Sequence, residues 1–133
     1  NLFRRTRFAY EKAIEWSYRK KEFEKRAGFV MMAVMAVHDK TLKIKDFDLF
    51  LKRIKDESTD ERNFVKKAVN WALRQIGKRD YELFEKAKVC AQEIKMLDSK
   101  SARWIAADAL REFNSETTQK VLERRLSKSK KLK

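Results

Sequence analysis

The chain has 133 residues, of which 34 are Lys or Arg and 20 are Asp or Glu, for a formal charge of +14. A length within the about 100 to 200 residues of one domain, a 43% apolar fraction and the absence of proline exclude a disordered chain and a turn-rich sandwich or barrel. One cysteine, Cys90, and one histidine, His38, exclude an internal disulfide and the paired spacings that hold zinc, so a cytoplasmic, metal-free and cofactor-free protein is expected.

Apolar residues return every three or four positions nearly throughout, and no stretch alternates strictly, so the chain reads as all-α. A first helix is expected from about Phe8 to Tyr18, with Phe8, Ala9, Ala13, Ile14 and Trp16 on one side. The second, Glu22 to His38, contains the most apolar run, FVMMAVMAV; it is far shorter than the about 20 residues of a membrane span and reads as a central buried helix. A third runs from about Asp46 to Lys55. The acidic turn from Glu57 to Asp60 offers N-cap oxygens for a fourth, about Glu61 to Ile76, with Phe64, Val65, Ala68, Ala72 and Leu73 inward and Gly77 as its C-terminal cap. A fifth spans about Tyr81 to Met96. Ser99 or Ser101 caps a sixth, about Ala102 to Phe113, and Ser115 opens a seventh that frays into SKSKKLK. Residues 1–126 are thus expected to form one domain and 127–133 a basic disordered tail.

The helices fall into pairs whose second members share a pattern: KRAGFVMMAV from Lys25, KKAVNWALRQ from Lys66 and ARWIAADALR from Ala102. With Arg26, Lys67 and Arg103 as equivalent points the spacings are 41 and 36 residues, close to the period of about 40 of HEAT-like repeats, whose helix pairs stack into a curved solenoid.

The segment from Ser115 onward carries seven basic and two acidic residues, which leaves +9 on the body. Lys25, Arg26, Lys66, Lys67 and Arg103 head the stacked second helices. There they would converge into a stripe suited to a phosphate backbone, and Arg74, seven residues beyond Lys67, lies on the same side of its helix. The alternatives are an ordinary solvated face, with Glu22, Glu24 and Glu61 as partners, or an anionic protein or membrane surface. A membrane binder would expose aromatics beside its basic face, and here most aromatics read as core, Trp16 and Trp104 included. Trp71 stands at the edge of its apolar stripe, either exposed on the concave side or packed between repeats. Cys90 reads as a buried small hydrophobe and His38 as a helix C-cap.

The segments FAYEKAIEW, EFEKRAGFVMMAVMAVHDK, ERNFVKKAVNWALRQIGKRD and SARWIAADALREF resemble the bacterial AlkD-like DNA alkylation repair proteins, up to about Phe113 and most specifically from Asn63 to Arg79. The resemblance implies a monomeric HEAT-like solenoid whose basic concave groove holds double-stranded DNA, and a monofunctional glycosylase that removes cationic N3- and N7-alkylated purines. It places the Trp of the family's WALR segment on Trp71, contacting the sugar and backbone of the damaged nucleotide, and phosphate contacts on Arg74 and Arg26. Lys67 and Arg103 join them from the charge stripe. The family's catalytic Asp belongs to a Trp-Asp segment just before the helix that begins here at Phe8, and this chain, starting at Asn1, has none. The expectation is a C-terminal portion whose Asp lies upstream; the alternative is a non-catalytic DNA-binding member. Asp48, Asp60 and Asp108 do not sit in that context.

Overall fold

The structure, a computed structural model, describes residues 2–131, with the side chains of all but position 3 and positions 129–131. It contains α1 (Leu2–Ser17), α2 (Glu22–His38), α3 (Asp46–Glu57), α4 (Asn63–Gly77), α5 (Tyr81–Lys95), α6 (Lys100–Phe113) and α7 (Glu116–Lys131), and no strand among the described residues. The helices stack in two rows, α1–α3–α5 and α2–α4–α6. Contact along the second row is far more extensive than along the first, so the stack curves with α2, α4 and α6 on its concave side, as a HEAT-like α-solenoid does. The hydrogen bonds that join distant segments span 32 to 47 positions, about one helix pair, so each repeat is tied to its neighbour. α7 packs on α6 and continues helically to Lys131, into the segment that composition assigns to a tail; residues 132 and 133 lie outside the described residues.

Phe29, Phe47, Phe50 and Phe113 are fully buried, with Met32, Ile54, Leu73, Ile76, Leu83, Ile94 and Ile105 between the rows. Three aromatics expected inside are not: Phe8, Phe64 and Trp104 are exposed. Adjacent helix positions differ by about 100° in direction, so at the edge of the buried stripe one of two apolar neighbours points inward and the other outward. Val65 takes the core position beside Phe64, and Ile105 the one beside Trp104. Leu49 likewise cedes to Phe50, and Trp16 is half-buried.

Both glycines answer to close approach. A Cβ on Gly28 would lie 2.5 Å from the Ser17 backbone nitrogen and 2.9 Å from the Ala13 carbonyl oxygen, because the end of α1 rests directly on α2. Gly77 is the last residue of α4 and has no positive φ; a Cβ there would strike the Phe113 ring, so it serves packing, and the C-cap position expected of it falls on Lys78. Ser99, not Ser101, caps α6, accepting the Ala102 N–H at 3.1 Å, while the buried Ser101 hydroxyl donates to the Asp60 carbonyl. The acidic turn does not cap α4 itself: Asp60 accepts the Arg62 N–H, and Glu22, one repeat earlier, accepts the Phe64 N–H at 3.2 Å.

Buried cations lock the repeats. Arg53 is 3% exposed; it donates to the Ser17 hydroxyl at 2.9 Å and the Ser17 carbonyl at 3.0 Å, pairs with Glu57 at 2.5 Å and lies 3.6 Å from the Tyr18 ring centre. Arg79 donates to the Ala36 and Leu42 carbonyls, each at 3.0 Å, satisfying acceptors left free in the last turn of α2 and in the link that follows it. Burial lowers the pKa of Arg79, and the guanidinium stays charged.

Candidate nucleic-acid interface

On α4 the core takes Val65, Ala68, Val69, Ala72, Leu73 and Ile76. Lys67, Trp71, Arg74 and Lys78, at successive steps of four, three and four residues, therefore share the opposite, concave side. Trp71 is partly buried and packs against the core, so its ring is both anchored and accessible; this joins the two placements that its position at the stripe's edge leaves open.

Around Trp71 lies a polar network from the next repeat. Arg74 pairs with Glu112 at 2.9 Å and its Nε lies 3.8 Å from Asp108; Lys78 reaches the other oxygen of Glu112 at 2.9 Å. The Asn70 amide donates to Asp108 at 2.7 Å, and Arg111 donates to the other Asp108 oxygen. The Asn70 hydrogen bond, with Arg111 and Arg74, holds the Asp108 carboxyl below its ordinary value despite some burial. Burial pushes Glu112 up, and the bonds from Lys78 and Arg74 outweigh it and hold it low. Both carboxylates are thus ionised at neutral pH, and the Arg74 guanidinium is already held by acids. Two buried polar atoms, Asn70 Oδ1 and Arg74 Nε, have no hydrogen-bond partner among the described residues. Unmet buried groups cost about 1 to 3 kcal/mol each, so this network is not fully satisfied in the structure.

The other residues of the stripe divide. Arg26 on α2 is exposed, with its guanidinium 5.4 Å from the Phe64 ring centre, which brings it to the start of α4. Lys67 is exposed. Arg103 on α6 is exposed and 3.5 Å from Asp98, itself fully in solvent, a pair that water and salt largely screen. Lys25 leaves the stripe: it turns inward to Glu57 at 2.7 Å and Asp60 at 3.1 Å. Lys66 lies 5.0 Å over the Trp104 ring. The structure therefore joins Trp71 and Arg74, sets Lys67 beside them and Arg26 at the neighbouring helix, and leaves Arg103 at the rim.

Asn70, Asp108 and Glu112 were not anticipated from the sequence. The signal existed: Asp108 follows Asn70, and Glu112 follows Arg74, by 38 residues, which is the repeat period.

A cleft of about 530 Å³ opens on the other row, between α3 and α5, lined by residues including Asp48, Lys86, Val89 and Cys90. Two pairs of its charges are joined, Lys86 with Asp48 at 2.9 Å and Lys55 with Glu93 at 3.6 Å, and burial pushes the Cys90 thiol up to about 12, which makes it inert. Among the described residues no group of three or more His, Cys, Asp or Glu could hold a metal ion, and no helix is long and apolar enough to cross a membrane. No curated protein and no solved structure matches the chain. The family model described as DNA alkylation repair enzyme matches residues 2–113, all six helices of the two rows, and on that match the chain belongs to the DNA alkylation repair enzyme family, with a role in DNA alkylation repair.

Proposed function

We propose that the protein is a DNA N-glycosylase that hydrolyses the bond between deoxyribose C1′ and a cationic N3- or N7-alkylated purine in duplex DNA. The observation that carries this reading is the WALR segment, Trp71 to Arg74, on the concave side of α4 within the family-matched residues. An alkylated purine already bears positive charge. When the C1′–N bond breaks, the base takes the electron pair and leaves neutral, so no general acid is needed; water then adds to C1′ and loses a proton. What the protein must supply is stabilisation of the cationic sugar, which the electron-rich face of Trp71 offers, and a hold on the flanking phosphates, which Arg26, Lys67, Arg74 and Arg103 offer. No cofactor enters this chemistry.

A second reading, a solenoid that binds distorted duplex without cutting it, is favoured by one observation: no Trp-Asp pair occurs in residues 1–133, and the carboxylates nearest Arg74 are engaged by Asn70, Arg74, Lys78 and Arg111. One experiment separates the two. The protein expressed from its entire open reading frame is incubated with a duplex carrying a single N7-methylguanine, and free base and alkali-labile strand breaks are measured. Release above the spontaneous rate, lost in Trp71→Ala, supports the glycosylase; salt-sensitive binding with no release supports the second reading.

A further inference from the structure

Two of the aromatics that the helical pattern assigns to the core and the structure turns outward, Phe64 and Trp104, lie with a third exposed ring, Phe23, near the starts of the concave-row helices, while Phe8 is exposed on α1. Phe23 opens α2 and is 61% exposed, Phe64 opens α4 and is 44% exposed, and Trp104 lies in the first turn and a half of α6 and is 40% exposed. The Phe23 and Phe64 rings meet at 5.3 Å across the repeat boundary. A cation attends each ledge: Arg26 lies 5.4 Å from the Phe64 ring centre, and Lys66 lies 5.0 Å from that of Trp104. Lys67 and Arg103 stand exposed next to them. The nearby acids are committed elsewhere, Glu22 to the Phe64 N–H at 3.2 Å, Glu24 to Arg19 at 3.3 Å and Glu61 to the Ser101 N–H at 3.3 Å.

Large aromatic faces left in water on the three helices of one row, α2, α4 and α6, forgo burial that the same side chains obtain elsewhere in this core. Beside cations they match base faces joined by phosphates in preference to the anionic membrane surface that the same pairing can suit, because the family match gives the chain a role in DNA repair. A base pair inside a duplex stacks on its neighbours and offers its flat faces to nothing else, whereas an unpaired base stacks on an aromatic ring or a guanidinium plane. We propose that the starts of α2, α4 and α6 form a stacking ledge for the unpaired bases of a single DNA strand, at one end of the concave face that Trp71 and Arg74 also occupy, since Phe64 precedes Trp71 by seven residues, nearly two whole turns. Phe23, Phe64, Trp104 and the Arg26 plane receive bases, while Lys66, Lys67 and Arg103 take the phosphates; the Lys66 side chain, long and flexible, yields the Trp104 face on binding. The ledge does not depend on any glycosylase activity.

The test compares two fluorescently labelled strands of equal length and charge, a 12-residue thymidine strand and its baseless deoxyribose-phosphate counterpart, by anisotropy at fixed salt. The ledge requires the thymidine strand to bind about tenfold tighter or more, and Phe64→Leu and Trp104→Leu each to weaken it about fivefold or more while duplex binding holds. Both side chains are exposed, and unchanged thermal melts establish that the variants fold. Equal affinity for the two strands would mean that only phosphates are recognised, and the proposal would fall without reference to any variant; so would variants that bind thymidine strands as the parent does.

Discussion

Glu112→Gln isolates the acidic tie that α6 places on the cationic side of α4. The carboxylate lies 2.9 Å from the Arg74 guanidinium and 2.9 Å from the Lys78 ammonium, so a DNA phosphate approaching Arg74 meets a negative charge already in place. The amide keeps the shape and removes the charge. At a separation of about 7 Å, carboxylate and phosphate repel by about 0.6 kcal/mol in bulk water and about 2.4 kcal/mol at an effective dielectric of about 20. Relief of about 1 kcal/mol, roughly fivefold in affinity, follows for duplex DNA at low salt. Freeing the two cations adds up to about one neutralised phosphate, so the log–log salt slope should steepen by up to about 0.9. Folding loses about 1 kcal/mol with the ion pairs, a fall of roughly 4 °C in Tm. Anisotropy titrations of a labelled duplex across a salt series read both quantities. Glu85→Gln, at an exposed position of α5 in the other row, makes the same change in net charge away from the groove and is the control. If Glu112→Gln binds no tighter than Glu85→Gln and has the same slope, Arg74 does not face the DNA and the assignment of the groove is refuted.

Gly28→Ala drives a methyl group into the backbone of α1, which cannot turn aside as a side chain can; overpacking of about 1 to 3 kcal/mol exceeds the gain in helix propensity of at most about 1 kcal/mol, and a urea midpoint at or above that of the parent would contradict the contact. Arg53→Met removes the guanidinium that bonds Ser17 and Glu57 and should cost about 3 kcal/mol by chemical denaturation; a loss under about 0.5 kcal/mol would show that this link contributes little. Asp60, Asp108 and Glu112 are all held below their ordinary values of 3.8, 3.8 and 4.5, Asp60 chiefly by its hydrogen bond from Arg62. Groups with depressed folded values contribute stability that is complete above the ordinary values and lost as pH falls through the lowered ones, so urea midpoints should hold from pH 7 to about 5 and then fall; a flat profile down to pH 3 would contradict the network.

The architecture was legible because burial follows a helical period and the basic-plus-apolar pattern returns after 41 and 36 residues. That same period sets the contacts that local reading missed. Arg53 reaches back 36 residues to Ser17 and Arg74 forward 38 to Glu112, while Gly77 clears space for Phe113, also 36 residues on. A glycine at a helix end suggests a cap when only its neighbours are considered; its partner lies one repeat away. The exposed aromatics failed for a different reason. In Phe64-Val65 and Trp104-Ile105 composition cannot say which of two apolar neighbours faces inward, and the turn of the helix, fixed by packing on the adjacent repeat, decides it. At the groove, Trp71 and Arg74 were visible in the WALR segment, but the acids that hold Arg74 come from the next repeat and depend on the register between α4 and α6.

The three tryptophans report directly on where DNA sits, since Trp16 lies on α1, Trp71 on the concave side of α4 and Trp104 at the rim on α6. An NMR titration of the nitrogen-15-labelled protein with a short duplex, followed at the three indole N–H signals, measures which of them the duplex reaches. A shift of the Trp71 signal that saturates with duplex and is reversed by salt, with Trp16 unmoved, is the result expected of a concave-groove DNA site. A Trp71 signal that stays fixed at saturating duplex would contradict it.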